Sequence, residues 1–189
     1  WFFQLKKDKN NKYKLMEIAP RVSGTMGLSR NMGINYPLLS IFDRMGKEVK
    51  IINNSYDIEV DRALISRFIT NLEYESIYLD FDDTLIINNK VNNYLMMFLY
   101  QSLNQGKKIY LFTRHKNDIY YTLDKYCISK NIFEKIFNLS ENEKKSKYIK
   151  DKNSIFIDDS FSERYEVSTQ KGIAVFDSSE VECLIDWRL

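Results

Sequence analysis

Two kinds of apolar pattern divide the chain. Along the first seventy residues, short apolar runs are interrupted by polar stretches. Trp1–Leu5 and Tyr13–Ile18 flank the polar Asp8–Lys12 and predict a β-hairpin. Pro20–Gly33, with three glycines, opens as a loop; Tyr36–Met45 reads as a helix, and Lys50–Ile52 and Ser55–Leu64 as strands. From Ser76 onward the pattern is regular. Strands are expected at Ser76–Phe81, Lys108–Phe112, Lys135–Leu139, Ser154–Ile157 and Ile173–Phe176. Helical-period segments lie between them at Val91–Leu103, Asp118–Ser129, Glu141–Lys150 and Phe161–Gln170. Continuous apolar strands alternating with helices predict an α/β fold with a doubly wound parallel sheet, preceded by a small α+β lobe. The expected boundary separates residues 1–72 from 73–189.

Charge changes sign near the same place. Residues 1–70 hold 12 Lys+Arg and 7 Asp+Glu, a balance of +5, whereas residues 71–189 hold 16 and 19, a balance of −3. Neither part is basic enough to imply a nucleic-acid partner. A hydrophobic content of 44% suits a packed core and argues against disorder over most of the length. Cys127 and Cys183 have no metal-ligand spacing, which fits a reduced, cytoplasmic compartment, and Cys127 is expected in the core. No apolar run approaches the ~18 residues of a membrane span, so no membrane partner is expected. The chain starts at Trp1 and not at methionine, which predicts a fragment or a processed product.

The chemistry gathers at strand ends. One strand closes on Asp80-Phe81-Asp82-Asp83-Thr84, a second on Thr113-Arg114-His115, and a third on Asp158-Asp159-Ser160. In open parallel sheets, ligands bind outside the carboxyl ends of the strands. Adjacent strands would bring at least four carboxylates together, an arrangement that calls for a cation; oxygen ligands favour Mg2+. Asp80 and Asp82, two apart, can face one site while Phe81 enters the core. One could attack phosphorus and the other exchange protons with the leaving oxygen and with water. A phosphoryl oxygen could be held by Thr113, and the developing charge neutralised by a lysine. Lys144, Lys145 and Lys147 all precede the apolar Tyr148-Ile149 and are the candidates. His115 is expected as a surface-loop residue, and Tyr120, Tyr121 and Tyr126 as helix packing.

These motifs resemble those of the haloacid-dehalogenase (HAD) superfamily over about residues 74–189. The strand followed by DxDxT is its first motif, Thr113 matches the second, the lysine the third, with Lys145 at the spacing to the apolar pair that the resemblance favours, and Asp158-Asp159 the fourth. The resemblance implies a Rossmann-like hydrolase with Asp80 as nucleophile and Asp82 as general acid/base. It implies Mg2+ held by Asp80, the Asp82 backbone carbonyl and an acid of the last motif. Asp159 is preferred there because Asp159-Ser160…Glu163 has the family's spacing, with Asp158 as the alternative. The interval from Thr84 to Lys108 has room for a loop and one helix, so no cap domain is expected. An open site would suit a phosphorylated small molecule or a bulky phosphoester.

Lys14–Thr25 (KLMEIAPRVSGT), with Phe2-Phe3-Gln4 before it and Gly33-Ile34-Asn35-Tyr36-Pro37 after it, resembles the last metal-binding strand and loop of ATP-grasp enzymes. The carbamoyl-phosphate-synthase-like group is the nearest in appearance. The resemblance makes Glu17 a magnesium ligand and aims Arg21 at phosphate; the second ligand position is Ala19, which departs from the pattern. The other ATP-grasp lobes would then be the partner of this segment. Three functions follow as expectations: a phosphatase, a ligase fragment whose second unit processes a phosphorylated intermediate, and a non-catalytic scaffold.

Overall fold

A computed structural model describes residues 1–62 and 65–188. The first lobe begins with the hairpin β1 (Phe2–Lys7) and β2 (Tyr13–Ala19), antiparallel and closed by a turn in which Asp8 accepts from the Asn10 and Lys12 amides. Two helices follow, α1 (Met26–Asn31) and α2 (Tyr36–Arg44), and then a second hairpin, β3 (Ile58–Arg62) and β4 (Ser66–Thr70). Pro20–Gly33 opens as a loop, as expected, and goes on into α1; three expectations for this lobe change. Lys50–Ile52 belongs to no strand. The strand expected over Ser55–Leu64 starts at Ile58, its last two positions lying outside the described residues, and it is answered by β4, which the pattern had not suggested. Gly33 is required where it stands: its φ is +92°, and a Cβ there would lie 1.9 Å from the Ile52 carbonyl oxygen. That close approach holds Ile52 against the end of α1, and the Asn54 amide donates to the Met32 carbonyl beside it (3.1 Å).

The second half forms a five-stranded sheet from β5 (Ser76–Asp80), β8 (Lys108–Thr113), β9 (Lys135–Asn138), β10 (Ser154–Ile157) and β11 (Ala174–Phe176). Between β5 and β8 lie the short hairpin β6 (Ile86–Ile87) and β7 (Lys90–Val91) and then helix α3 (Asn93–Asn104). Helix α4 (Ile119–Lys125) follows β8, and α5 (Phe161–Lys171) follows β10. The sheet order is β11-β10-β5-β8-β9 and every pairing is parallel. β5 is central and buried on both faces. Its Ile77 and Leu79 meet Leu95, Phe98 and Leu99 of α3, with Ile119 and Leu123 of α4 on the same side. Tyr78 points the other way, into a layer with Phe112, Phe156 and Val175 that Val167 of α5 covers. Helices on both faces explain why the strands read as unbroken apolar runs.

The lobe is tied to this sheet. Phe68 of β4 belongs to the α3-side core. Buried Asn54 donates to the Val175 carbonyl (2.6 Å) and accepts from its amide (3.1 Å), so one side chain takes the place of a pairing strand along β11.

Four further corrections concern the second half. Glu141–Lys150 is not a helix but a loop with one 3-10 turn at Lys145–Tyr148. Arg114 donates to the Ser140 and Glu143 carbonyls, groups that an α-helix would spend internally. Tyr120 and Tyr121 are exposed, because α4 buries Ile119, Thr122 and Leu123; Tyr126 alone of the three packs against the core. Cys127 is exposed, at φ +56° in the turn that ends α4. The interval after Thr84 holds the β6–β7 hairpin besides a loop and α3, its Asn88-Asn89 turn having both residues at positive φ.

Candidate functional site

β5, β8 and β10 are neighbours, so their C-terminal ends converge as the sequence requires. After β5 the chain turns sharply: Phe81 is buried, its carbonyl accepts from the Leu85 and Ile86 amides, and Asp83 sits at φ +55°. A short polar side chain tolerates that left-handed conformation. The turn leaves Asp80 buried and Asp82 at the rim, its carboxylate half exposed.

Lys145 is the lysine that reaches the site. Its ammonium donates to Asp80 Oδ1 at 2.5 Å and to Asp158 Oδ2 at 2.6 Å, and the residue is 2% exposed. Lys144 instead lies on the surface, 3.9 Å from Glu166, and Lys147 is exposed. The extended loop explains the choice: a helix over 141–150 would place Lys145 on one face of a surface cylinder. Arg114 fixes that loop through its two carbonyl bonds while its other nitrogen pairs with Glu163 at 2.9 Å. Glu163 therefore faces Arg114.

Asp158 is buried; its second oxygen accepts from the Ser160 amide at 2.8 Å. Asp159 is exposed and is held by Thr84, whose hydroxyl accepts from the Asp159 amide (3.0 Å) and donates to its carboxylate (3.3 Å). Thr84, fully buried, links the loop after β5 to the loop after β10. No role had been assigned to it from the sequence, although it is the threonine of DxDxT. Arg164 braces the same loop by donating to the Asp158 and Asp159 carbonyls and pairing with Asp177 at 3.0 Å. Thr113 is fully buried, and its hydroxyl accepts from the His115 amide at 2.9 Å, leaving its own proton to donate. His115 is not a free surface residue: its ring lies 3.0 Å from the Asp82 carboxylate.

Oxygens of Asp80, Asp158 and Asp159 lie within 4.8 Å of one another. Burial pushes the Asp80 carboxyl up to about 7; Lys145 opposes the rise, while Asp158 and Asp159 add to it. Asp158 is raised as well, first by burial, with Lys145 again opposing. Burial works against the charge on Lys145, but Asp80 and Asp158 outweigh it and hold the ammonium above its ordinary value. All three shifts point one way: the cluster holds more negative charge than one ammonium balances, and it gains from any added positive charge. Three hard oxygen donors with a charge deficit fit a divalent cation such as Mg2+. The Asp82 side chain is not in this cluster.

The ATP-grasp-like residues are placed differently. Glu17 is exposed on β2 and lies 3.5 Å from Arg21, and Arg21 stacks on the Phe2 ring with its carbon 4.7 Å from the centroid. A cavity of about 570 Å³ lies between the lobe and the sheet, lined among others by Leu38, Phe42, Phe161, Arg164 and Asp177; Asp80, Asp82, Asp158 and Asp159 do not line it. No helix among the described residues is long and apolar enough to cross a membrane.

The family model described as ATP-grasp in the biosynthetic pathway with Ter operon matches residues 2–63. The lobe up to β3 is thus similar to part of an ATP-grasp protein. No curated protein and no solved structure matches the chain.

Proposed function

We propose that the chain carries a magnesium-dependent phosphohydrolase of the HAD type and acts through an aspartyl-phosphate on Asp80. The observation that carries this reading is the buried Asp80–Lys145–Asp158 array at the carboxyl edge of a parallel sheet, with Thr113 and Asp82 beside it. Among the described residues only Lys145 donates to the Asp80 carboxylate, and it takes one oxygen, leaving the other to attack. As the bond from Asp80 to phosphorus forms, the bond to the leaving oxygen breaks, and Asp82 gives that oxygen a proton. Water then attacks phosphorus, Asp82 takes its proton, and the Asp80–phosphorus bond breaks to release inorganic phosphate. The Thr113 hydroxyl donates to a phosphoryl oxygen, and Lys145 offsets the charge that develops there. Mg2+, held by Asp80, the Asp82 carbonyl and Asp158 or Asp159, would supply further positive charge to the phosphoryl group.

The test is phosphate release from a panel of phosphorylated metabolites with magnesium. Asp80→Asn should fall to background and give no beryllium fluoride adduct. Asp82→Asn should retain the attacking group and slow turnover by about 10²–10⁴-fold. Near-wild-type release by Asp80→Asn would end this reading.

A second reading is favoured by the family match over residues 2–63. In it the lobe is the end of an ATP-grasp ligase, completed by further ATP-grasp lobes, and the HAD-like unit processes a phosphorylated intermediate of that ligase. The exposed Glu17 and Arg21 would then face a nucleotide cleft built largely by those other lobes.

A further inference from the structure

We propose that His115 is the positioning residue for Asp82, fixing the aim of the carboxyl group that, on the phosphohydrolase reading, exchanges protons with the leaving oxygen and with water. The imidazole is held from several directions. Its backbone amide donates to Thr113 Oγ1. Its ring meets Phe81 edge-on, with centroids 5.4 Å apart at 71°. Nε2 lies 3.2 Å from Thr122 Oγ1, and Nδ1 lies 3.0 and 3.3 Å from the two Asp82 oxygens.

Hydrogen-bond accounting fixes which way the ring works. The Thr122 hydroxyl donates its single proton to the Asp118 carbonyl at 2.9 Å, the usual back-bond of a helical threonine. Its oxygen is then left to accept, so Nε2 carries the hydrogen that meets it. Nδ1 therefore faces Asp82 as an acceptor from its carboxylic acid while the ring is neutral, and as a donor to its carboxylate when the ring carries a second hydrogen. The two partners are unequal: the His115 side chain is 19% exposed and the Asp82 side chain 51%. An enclosed, multiply held ring restrains a carboxylate at the rim. Among the described residues no other side chain is hydrogen-bonded to Asp82, so without His115 its carboxylate has only solvent to orient it. Misplacing a reacting group by about 1 Å can cost on the order of 10²-fold in rate.

Two measurements on the full chain test this. In the first, His115→Ala should lower kcat by about 10–100-fold with KM little changed, because Asp82 acts in the transition state and does not hold substrate. His115→Asn puts an amide group near the Nδ1 position, whose oxygen can accept from the Asp82 carboxylic acid and whose nitrogen can donate to its carboxylate, and should recover most of the loss. In the second, this chain has a single histidine, so long-range 1H–15N spectra report its two ring nitrogens without ambiguity. Asp82→Asn should move the Nδ1 resonance, and Thr122→Val the Nε2 resonance. Wild-type kcat in His115→Ala, or an Asn variant no better than Ala with an unchanged melting curve, overturns the proposal; so do ring nitrogens indifferent to Asp82→Asn. Asp80→Asn serves as the control. If it is inactive while His115→Ala is normal, the positioning role fails alone. If Asp80→Asn is as active as wild type, the phosphohydrolase reading fails, and the ring-nitrogen shifts judge the Asp82 contact by themselves.

Discussion

Replacing Lys145 by methionine isolates the electrostatics of the carboxylate cluster. Methionine keeps the length and most of the volume of the lysine stem, so little cavity forms, and the charge alone is removed. Two charge-assisted hydrogen bonds go with it, to Asp80 and Asp158. What stays is a pair of buried carboxylates whose oxygens lie within 4.8 Å. At an effective dielectric constant of ~20 their repulsion is about 3 kcal/mol. Removing one partner of a buried ion pair costs about 3–5 kcal/mol, in keeping with that figure. The loss depends on pH, and its sign follows from Asp80. Its folded-state value, about 7, lies above the ordinary carboxylate range, so folding takes up a proton, and the stability this contributes is lost as pH rises from about 4 through 7. Without Lys145 the shift grows and the window moves upward. Urea melts should therefore show Lys145→Met destabilised by about 3–5 kcal/mol at pH 8 and by much less at pH 5, where one carboxyl is protonated. A variant as stable as wild type at pH 8, or one whose deficit widens on acidification, would refute the claim that Lys145 balances this cluster.

Three other outcomes are expected. Millimolar magnesium should raise the melting temperature of the wild-type chain, and Asp158→Asn should largely remove that rise in differential scanning fluorimetry. Glu180, pushed up to about 7 chiefly by burial, destabilises the fold increasingly as pH rises from about 4.5 to 7; Glu180→Gln, which can still accept from the Asp177 amide, should stabilise the chain by on the order of 1 kcal/mol at pH 8 and leave it unchanged at pH 4. Calorimetry with ATP and magnesium should detect no tight binding by this chain at Glu17, and tight binding abolished by Glu17→Ala would contradict the view that the lobe needs others to form a nucleotide cleft.

The parallel sheet was legible because its inner strands β5 and β10 are buried on both faces and write unbroken apolar runs, which β8 nearly matches. The site was legible because its acids and threonines stand where those runs stop. Among Lys144, Lys145 and Lys147, which the sequence left open, the family resemblance favoured Lys145, and that is the lysine the structure inserts between Asp80 and Asp158. What the sequence hid depends on partners far along the chain. The charged run 141–150 has helical composition, but Arg114 claims its carbonyls from another strand end. His115 reads as a loop residue until Thr122 and Asp82 come within reach of its ring. Thr84 acquires its two bonds to Asp159 only after 75 residues have folded back. The β3–β4 hairpin was half-seen, since its second strand exposes most of its side chains and buries Phe68 alone.

The central place of β5 has a consequence for biogenesis. Its two neighbours, β8 and β10, lie roughly thirty and eighty residues downstream, and the outer strand β11 closes against β10 still later. During synthesis the lobe and β5 leave the ribosome long before β10 exists. Loop closure over such separations must precede any reward from pairing, so the sheet is a late, non-local event. Asp80 and Asp82 thus remain in water, hydrated, while the next roughly eighty residues are made. The costly burial of like charges is deferred until the same closing step delivers Lys145 and Asp158 together, since both lie in the stretch that completes the sheet. A nascent chain arrested before residue 145 would expose the apolar edge of β5 with nothing to cover it on the β10 side, which makes that interval the one in which chaperone protection matters most.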